Sequence, residues 1–233
     1  MGAQWKIAGK VATAAAKGKI FSRLSKEIIM AAKAGADPAL NARLRAAVEA
    51  AKKQSLPREN IERAIKKGAG LLDEAVHYDV VTYEGFAPHR VPVIVECLTD
   101  NKKRTGTSIR ILFRKGQLGN TGTVSWDFSH VGLVDAAPPD GGADAEEAAI
   151  ETGAQDCEVD GESVRFYTEP TDLDAVSKAL TARGWTVATI RIGWRAKTPM
   201  KLDDPAAKAE VEQFLASIDE DDDVQHIYTS LEG

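Results

Sequence analysis

Up to residue 68 the apolar side chains recur every three or four positions; beyond residue 75 they recur every two or run together. A helix lines one face at a 3.6-residue period and a strand at a period of two, so this switch divides a helical segment from a strand-bearing one. In the first segment Phe21, Leu24, Ile28, Ala31 and Ala32 form one stripe, with Gly35 as its C-terminal stop. Asp37-Pro38 reads as the N-cap and first-turn proline of a second helix, whose stripe is Leu40, Leu44, Ala47, Val48 and Ala51. Pro57 opens a third helix, with Ile61, Ala64 and Ile65 inward and Gly68 as its end. Three short amphipathic helices bury their stripes only against one another, which predicts a small bundle.

Beyond residue 72, Val76, Tyr78 and Val80 alternate, and VPVIVECL at 91–98 reads as a buried strand. A helix at about 105–115 turns Ile109, Leu112 and Phe113 inward. Val124, Trp126 and Phe128 alternate again, followed by Val131, Leu133 and Val134. The stretch 136–144 (AAPPDGGAD) reads as a boundary. After it come a helix near 144–152, a strand at 163–168, a helix capped by Thr171-x-x-Asp174, and a strand at 185–194. Asp204-Pro205 starts a last helix, and a strand covers 224–228. The fold class expected is α+β.

Charge is distributed as unevenly as period. Residues 1–72 hold fifteen Lys/Arg against five Asp/Glu, whereas the other 161 hold fifteen against thirty, giving the chain its net charge of −5. Such asymmetry fits a polyanion-binding module on an acidic body; the alternative is a positive face that docks on that body. The cations avoid the apolar stripes. Candidate nucleic-acid contacts are therefore Lys6, Lys10, Lys17, Lys19, Arg43, Arg45, Lys52, Lys53, Arg58, Arg63, Lys66 and Lys67. Segment 8–19, weakly apolar, reads as an arm of the kind that orders on a nucleic acid. A second cluster, 100–116, carries six Lys/Arg against one Asp; Lys102, Lys103 and Arg104 precede a helix start, where free amides favour phosphate. The competing reading pairs this cluster with the acidic body.

Signatures of catalysis are missing from the sequence. There is no phosphate-binding G-x-x-x-x-G-K-[ST], no G-x-G-x-x-G after a strand and no G-x-S-x-G elbow. Gly116, Gly119 and Gly122 read as loop punctuation. His77, His89, His130 and His226 are scattered, and Cys97 and Cys157 lie in no metal or nucleophile spacing, so reduced thiols and no cofactor or metal are expected. The run Asp219-Glu220-Asp221-Asp222-Asp223 lacks the spacing of a calcium loop and reads as a solvated turn. No stretch approaches the roughly 20 apolar residues of a membrane span, and the basic N-terminus lacks the apolar core of a secretory signal. A cytoplasmic protein is expected.

Several stretches resemble the YebC/PmpR family. They are KGKIFSRLSKEI at 17–28, ADPALNARLRAAVEAAKKQSLPRENIERAIKKG at 36–68, YEGFAP at 83–88 and, most specifically, VIVECLTDNKKRTGTSIRILFRKGQLGNTGTVSWDF at 93–128. The resemblance implies a helical N-terminal domain followed by an α+β domain into which a third α+β domain is inserted. With the boundary above, the domains expected are 1–72, 73–135 plus 203–233, and 136–202. The family includes bacterial proteins described as transcriptional regulators and a mitochondrial translational activator of a cytochrome oxidase subunit. The N-terminus departs from the family's GHSKWANIKHRK-like start: Gly2, Trp5 and Lys10 are kept and the histidines are gone. Contacts made by that arm in relatives are therefore not carried over.

The function expected is a non-enzymatic nucleic-acid-binding regulator of gene expression acting on promoter DNA. Its alternatives are a translation factor on ribosomal RNA or tRNA at the ribosome, and a protein-interaction adaptor. No membrane partner is expected, and the sequence leaves the oligomeric state open.

Overall fold

The computed structural model describes residues 14–72 and 78–232. Three helices come first: α1 (Ala14–Ala32), α2 (Ala42–Lys53) and α3 (Arg58–Gly68). Strands β1 (Asp79–Phe86) and β2 (Pro92–Thr99) precede α4 (Lys102–Leu112), β3 (Gln117–Leu118) and β4 (Phe128–Ala137). Then follow α5 (Ala145–Thr152), β5 (Asp156–Asp160), β6 (Ser163–Thr168), α6 (Leu173–Ala182) and β7 (Thr186–Ala196). The chain closes with α7 (Pro205–Asp219) and β8 (Val224–Thr229). The fold is α+β, as the periods require.

Among the described residues two four-stranded sheets form, ordered β3-β1-β2-β8 and β5-β6-β4-β7. The last strand therefore returns to the first sheet, pairing antiparallel with β2, after the chain has built the second. By contacts the described residues divide into two compact units, one of 78–129 with 194–232 and the other of 14–72 with 130–193.

In the first unit Val93, Val95 and Cys97 of β2 pack with Ile109 and Phe113 and with Val211, Phe214, Leu215 and Ile218 of α7. Phe113 and Phe214 meet edge to face, 5.3 Å between centroids. In the second, Val134, Ala136, Val164 and Phe166 pack under Val176 and Leu180 of α6, with Trp185 edge to face on Phe166 at 5.0 Å. The helices of that unit bury Ile28, Ile29, Ala31 and Ala32 of α1 with Leu44, Val48 and Ala51 of α2 and Ile61 and Ala64 of α3.

Several local expectations are corrected. The cap of α2 is Asn41, not Asp37, so Leu40 lies before the helix and is 88% exposed. Asp37 instead accepts from the Ala39 amide in a turn of its own, at 2.8 Å. Gly68 does end α3, and it is also a contact residue: a Cβ there would sit 2.3 Å from the Ile29 carbonyl oxygen of α1. Thr171 bonds Asp172, and no side chain caps α6. Of the alternating Val124, Trp126 and Phe128 only Phe128 lies in a strand; Ser125–Asp127 is a 3₁₀ turn and β4 starts at Phe128. The acidic run does turn the chain from α7 into β8, yet Asp223 is buried rather than solvated.

Candidate nucleic-acid interface

Asn41 sets α2 against the end of α1. Its Oδ1 accepts from the Leu44 amide at 3.0 Å, capping α2, while its Nδ2 donates to the carbonyls of Ala31 and Gly35 at 2.8 and 2.9 Å. One side chain thus starts α2 and ties it to the end of α1, satisfying groups that helix ends leave unpaired. With Leu44, Val48 and Ala51 turned inward, Arg43, Arg45, Lys52 and Lys53 face solvent. On α3 the inward Ile61 and Ala64 leave Arg58, Arg63 and Lys66 exposed and Lys67 half-buried. Lys17 is exposed and Lys19 half-buried on α1, whereas Lys6 and Lys10 lie outside the described residues.

Lys52 pairs with Glu49 and Arg58 with Glu62, each at 2.7 Å. Exposed pairs of this kind contribute about 0–1 kcal/mol and yield readily to a phosphate. Arg45 donates to the Pro38 carbonyl at 3.3 Å. Lys53 and Lys66 occupy the last turns of α2 and α3, where the helix dipole favours a cation; no carboxylate among the described residues pairs with either. Glu27 of α1 is the exception on this module. Burial pushes its carboxyl up, with Arg191, Arg23 and Arg43 opposing, so part of Arg43's charge is directed at an internal acid.

The second cluster is placed differently. Asn101 caps α4, its side chain accepting from the Arg104 amide at 3.1 Å. Arg104 donates to Asp100 at 2.8 Å and to Asp223 at 3.1 Å, and Lys102 lies 3.2 Å from Asp79. Asp223 also accepts from the hydroxyls of Thr99 and Thr105, at 3.2 and 2.7 Å. Two of the three cations here thus face carboxylates of their own unit, leaving Lys103 exposed without such a pair among the described residues. Elsewhere, a cleft of about 530 Å³ beside α2 mixes Arg45 and Lys178 with Glu49, so its charge selects no single ligand. Among the described residues no group of His, Cys, Asp and Glu could hold a metal ion, and no helix is long and apolar enough to cross a membrane.

A family model described as the TACO1/YebC protein N-terminal domain matches residues 3–71, and one described as the TACO1/YebC second and third domain matches 78–231. The chain belongs to the TACO1/YebC family. Curated relatives in this family agree over their full length. A probable transcriptional regulatory protein of Pseudomonas syringae pv. tomato is 59% identical over 234 residues, covering 100% of both chains. One of Polaromonas is 56% identical over 237 residues, again covering both completely. A crystal structure of a conserved hypothetical protein from Aquifex aeolicus, 39% identical, superposes with a TM-score of 0.85 over 99% of this chain and 96% of that one. The relatives' names place the chain among regulators.

Within the TACO1/YebC fold, sequence reasoning passed over one buried acid, Glu84, and took another, Asp223, for part of a solvated turn. The carboxylate of Glu84 on β1 accepts from the amides of Gly122, Val124 and Ser125 at 2.9, 2.9 and 2.8 Å. Burial pushes this carboxyl up, but those amides and the Ser125 hydroxyl outweigh it and hold it below its ordinary value of 4.5. The available signal was an acid set between Tyr83 and Phe86 near the end of the strand, YEGF.

Proposed function

We propose that this chain regulates gene expression by binding nucleic acid through the helices of its N-terminal segment, without a catalytic step and in the cytoplasm. The carrying observation is the excess of positive charge on the exposed residues of α2 and α3, where Arg43, Arg45, Lys52, Lys53, Arg58, Arg63 and Lys66 outnumber Glu49, Glu59 and Glu62. Cations arranged this way neutralise phosphates with little regard to sequence and release counterions, so affinity falls steeply with salt. The bundle within 1–72 is the binding module in this reading; 73–135 with 203–233, and 136–202, form the body. The relatives' names make promoter DNA the first target to test.

A second target, structured RNA at the ribosome, is favoured by the exposed indole of Trp126, because unpaired bases stack on such rings and bases inside a duplex do not. The test is binding of the full chain to promoter-length duplex DNA and to structured RNA across a salt series, followed by in-cell UV crosslinking. If four phosphates are engaged on duplex DNA, log K falls against log salt with a slope of about −3.6. A flat response refutes the phosphate reading, and crosslinks in ribosomal RNA or tRNA replace the promoter with the translation apparatus.

A further inference from the structure

Trp126 is 67% exposed, yet the turn that carries it is tied by a set of hydrogen bonds. The three amides held by Glu84, which is only 5% exposed, fix the middle of the turn. The Gly119 amide donates to the Glu84 carbonyl at 2.9 Å, Thr123 to Asn120 at 3.1 Å and Asp127 to Val124 at 2.9 Å. Val124 and Phe128, on either side of the ring's own segment, are buried. The cost of ordering this turn is thus met in folding rather than at the moment a ligand arrives.

The surroundings of the ring narrow what that ligand is. The indole N–H donates to the Thr123 carbonyl at 3.1 Å, so the polar edge is used within the turn and the π surface is what remains on offer. The nearby exposed residues, Asn120, Thr121 and Gly122, are polar or without a side chain, and they do not make the apolar ring of contacts that surrounds a protein-binding anchor or a membrane wedge. A cation is fixed on the same turn, at the backbone. Lys197 Nζ donates to the Trp126 carbonyl at 2.8 Å, and its amide to that of Asp127 at 2.9 Å. A flat aromatic surface beside an ammonium is the pairing that accepts a nucleobase and its phosphate.

We propose that Trp126 is a stacking platform for an unpaired base of an RNA, with Lys197 meeting an adjacent phosphate. The proposal rests on the nucleic-acid reading above and adds to it a base-contacting residue outside the basic helices.

The experiment compares the full-length protein with W126A and W126F. The probes are a stem-loop RNA with an unpaired loop and the same RNA fully paired to its complement. W126A is expected to weaken stem-loop binding by roughly 5- to 150-fold, the range for losing one stacked base, while leaving duplex binding and the salt slope unchanged. W126F, which keeps a π face, recovers most of the loss, and quenching of tryptophan fluorescence by the stem-loop disappears in W126A. Stem-loop affinity unchanged in W126A, or equal losses on both probes, overturns the proposal. If K53Q/K66Q loses affinity while W126A does not, only the stacking platform falls; if the wild-type chain binds neither probe, the nucleic-acid reading falls with it.

Discussion

Replacing Lys53 and Lys66 by glutamine removes two exposed cations while keeping side chains of similar length and helix propensity. Each phosphate neutralised on duplex DNA contributes about 0.9 to the slope of log K against log salt, which at about 0.15 M salt is roughly fivefold in affinity. If both lysines meet phosphates, the slope of the double variant is shallower by about 1.8 and its affinity is lower by about 30-fold, or ~2 kcal/mol. Both residues sit in last turns, so each substitution also removes a favourable dipole interaction of about 0.3–1 kcal/mol. Thermal melting, run in parallel, separates this from binding. The assay is fluorescence anisotropy of a labelled duplex titrated with protein at several salt concentrations. An unchanged slope in a variant that remains folded would refute the assignment of these lysines to phosphate contacts.

Gly68→Ala gains about 1 kcal/mol of helix propensity but drives a methyl into the Ile29 carbonyl, and overpacking of this kind costs about 1–3 kcal/mol. Net destabilisation is expected, read as a lowered melting temperature; a raised one would show that α1 yields. Glu84→Gln replaces a charged acceptor of three amides with a neutral one that also carries two donors, and is expected to cost about 1–3 kcal/mol at neutral pH. Because the folded carboxyl is held below 4.5, the wild type's advantage is fully present above that pH and is lost as pH falls through the folded value. Urea midpoints of the two proteins should converge in acid, and a pH-independent gap contradicts the assignment. Asp223→Ala strips the Thr99 and Thr105 hydroxyls and Arg104 of their shared acceptor; a loss of about 1–3 kcal/mol in denaturant unfolding is expected, and no loss would mean those donors find other partners.

Much of this protein is written in local patterns. The period of Leu44, Val48 and Ala51, or of Ile61 and Ala64, reports which face of a helix avoids water, and the cations then have only the other face to occupy. VPVIVECL states a buried strand, and Asp204-Pro205 a helix start, in the same way. These features survive folding because each depends on neighbours a few residues away. The features that sequence misjudged depend on partners far along the chain. Gly68 ends α3 as its sequence suggests, but nothing local shows that it is also the place where α1's backbone comes too close for a Cβ. Leu40 continues a stripe, yet it falls outside α2 because Asn41 is drawn to the carbonyls of Ala31 and Gly35. Trp126 alternates as a strand residue would, but Glu84, some 40 positions earlier, gathers the amides around it into a turn and leaves the ring in water. For Arg104 the sequence places a cation beside a helix start, and only the fold brings Asp223, 119 positions away, to accept from it. Periodicity determined which residues seek burial; only the tertiary structure decided which polar groups find each other, because a buried carboxylate binds whichever donors the fold brings to it.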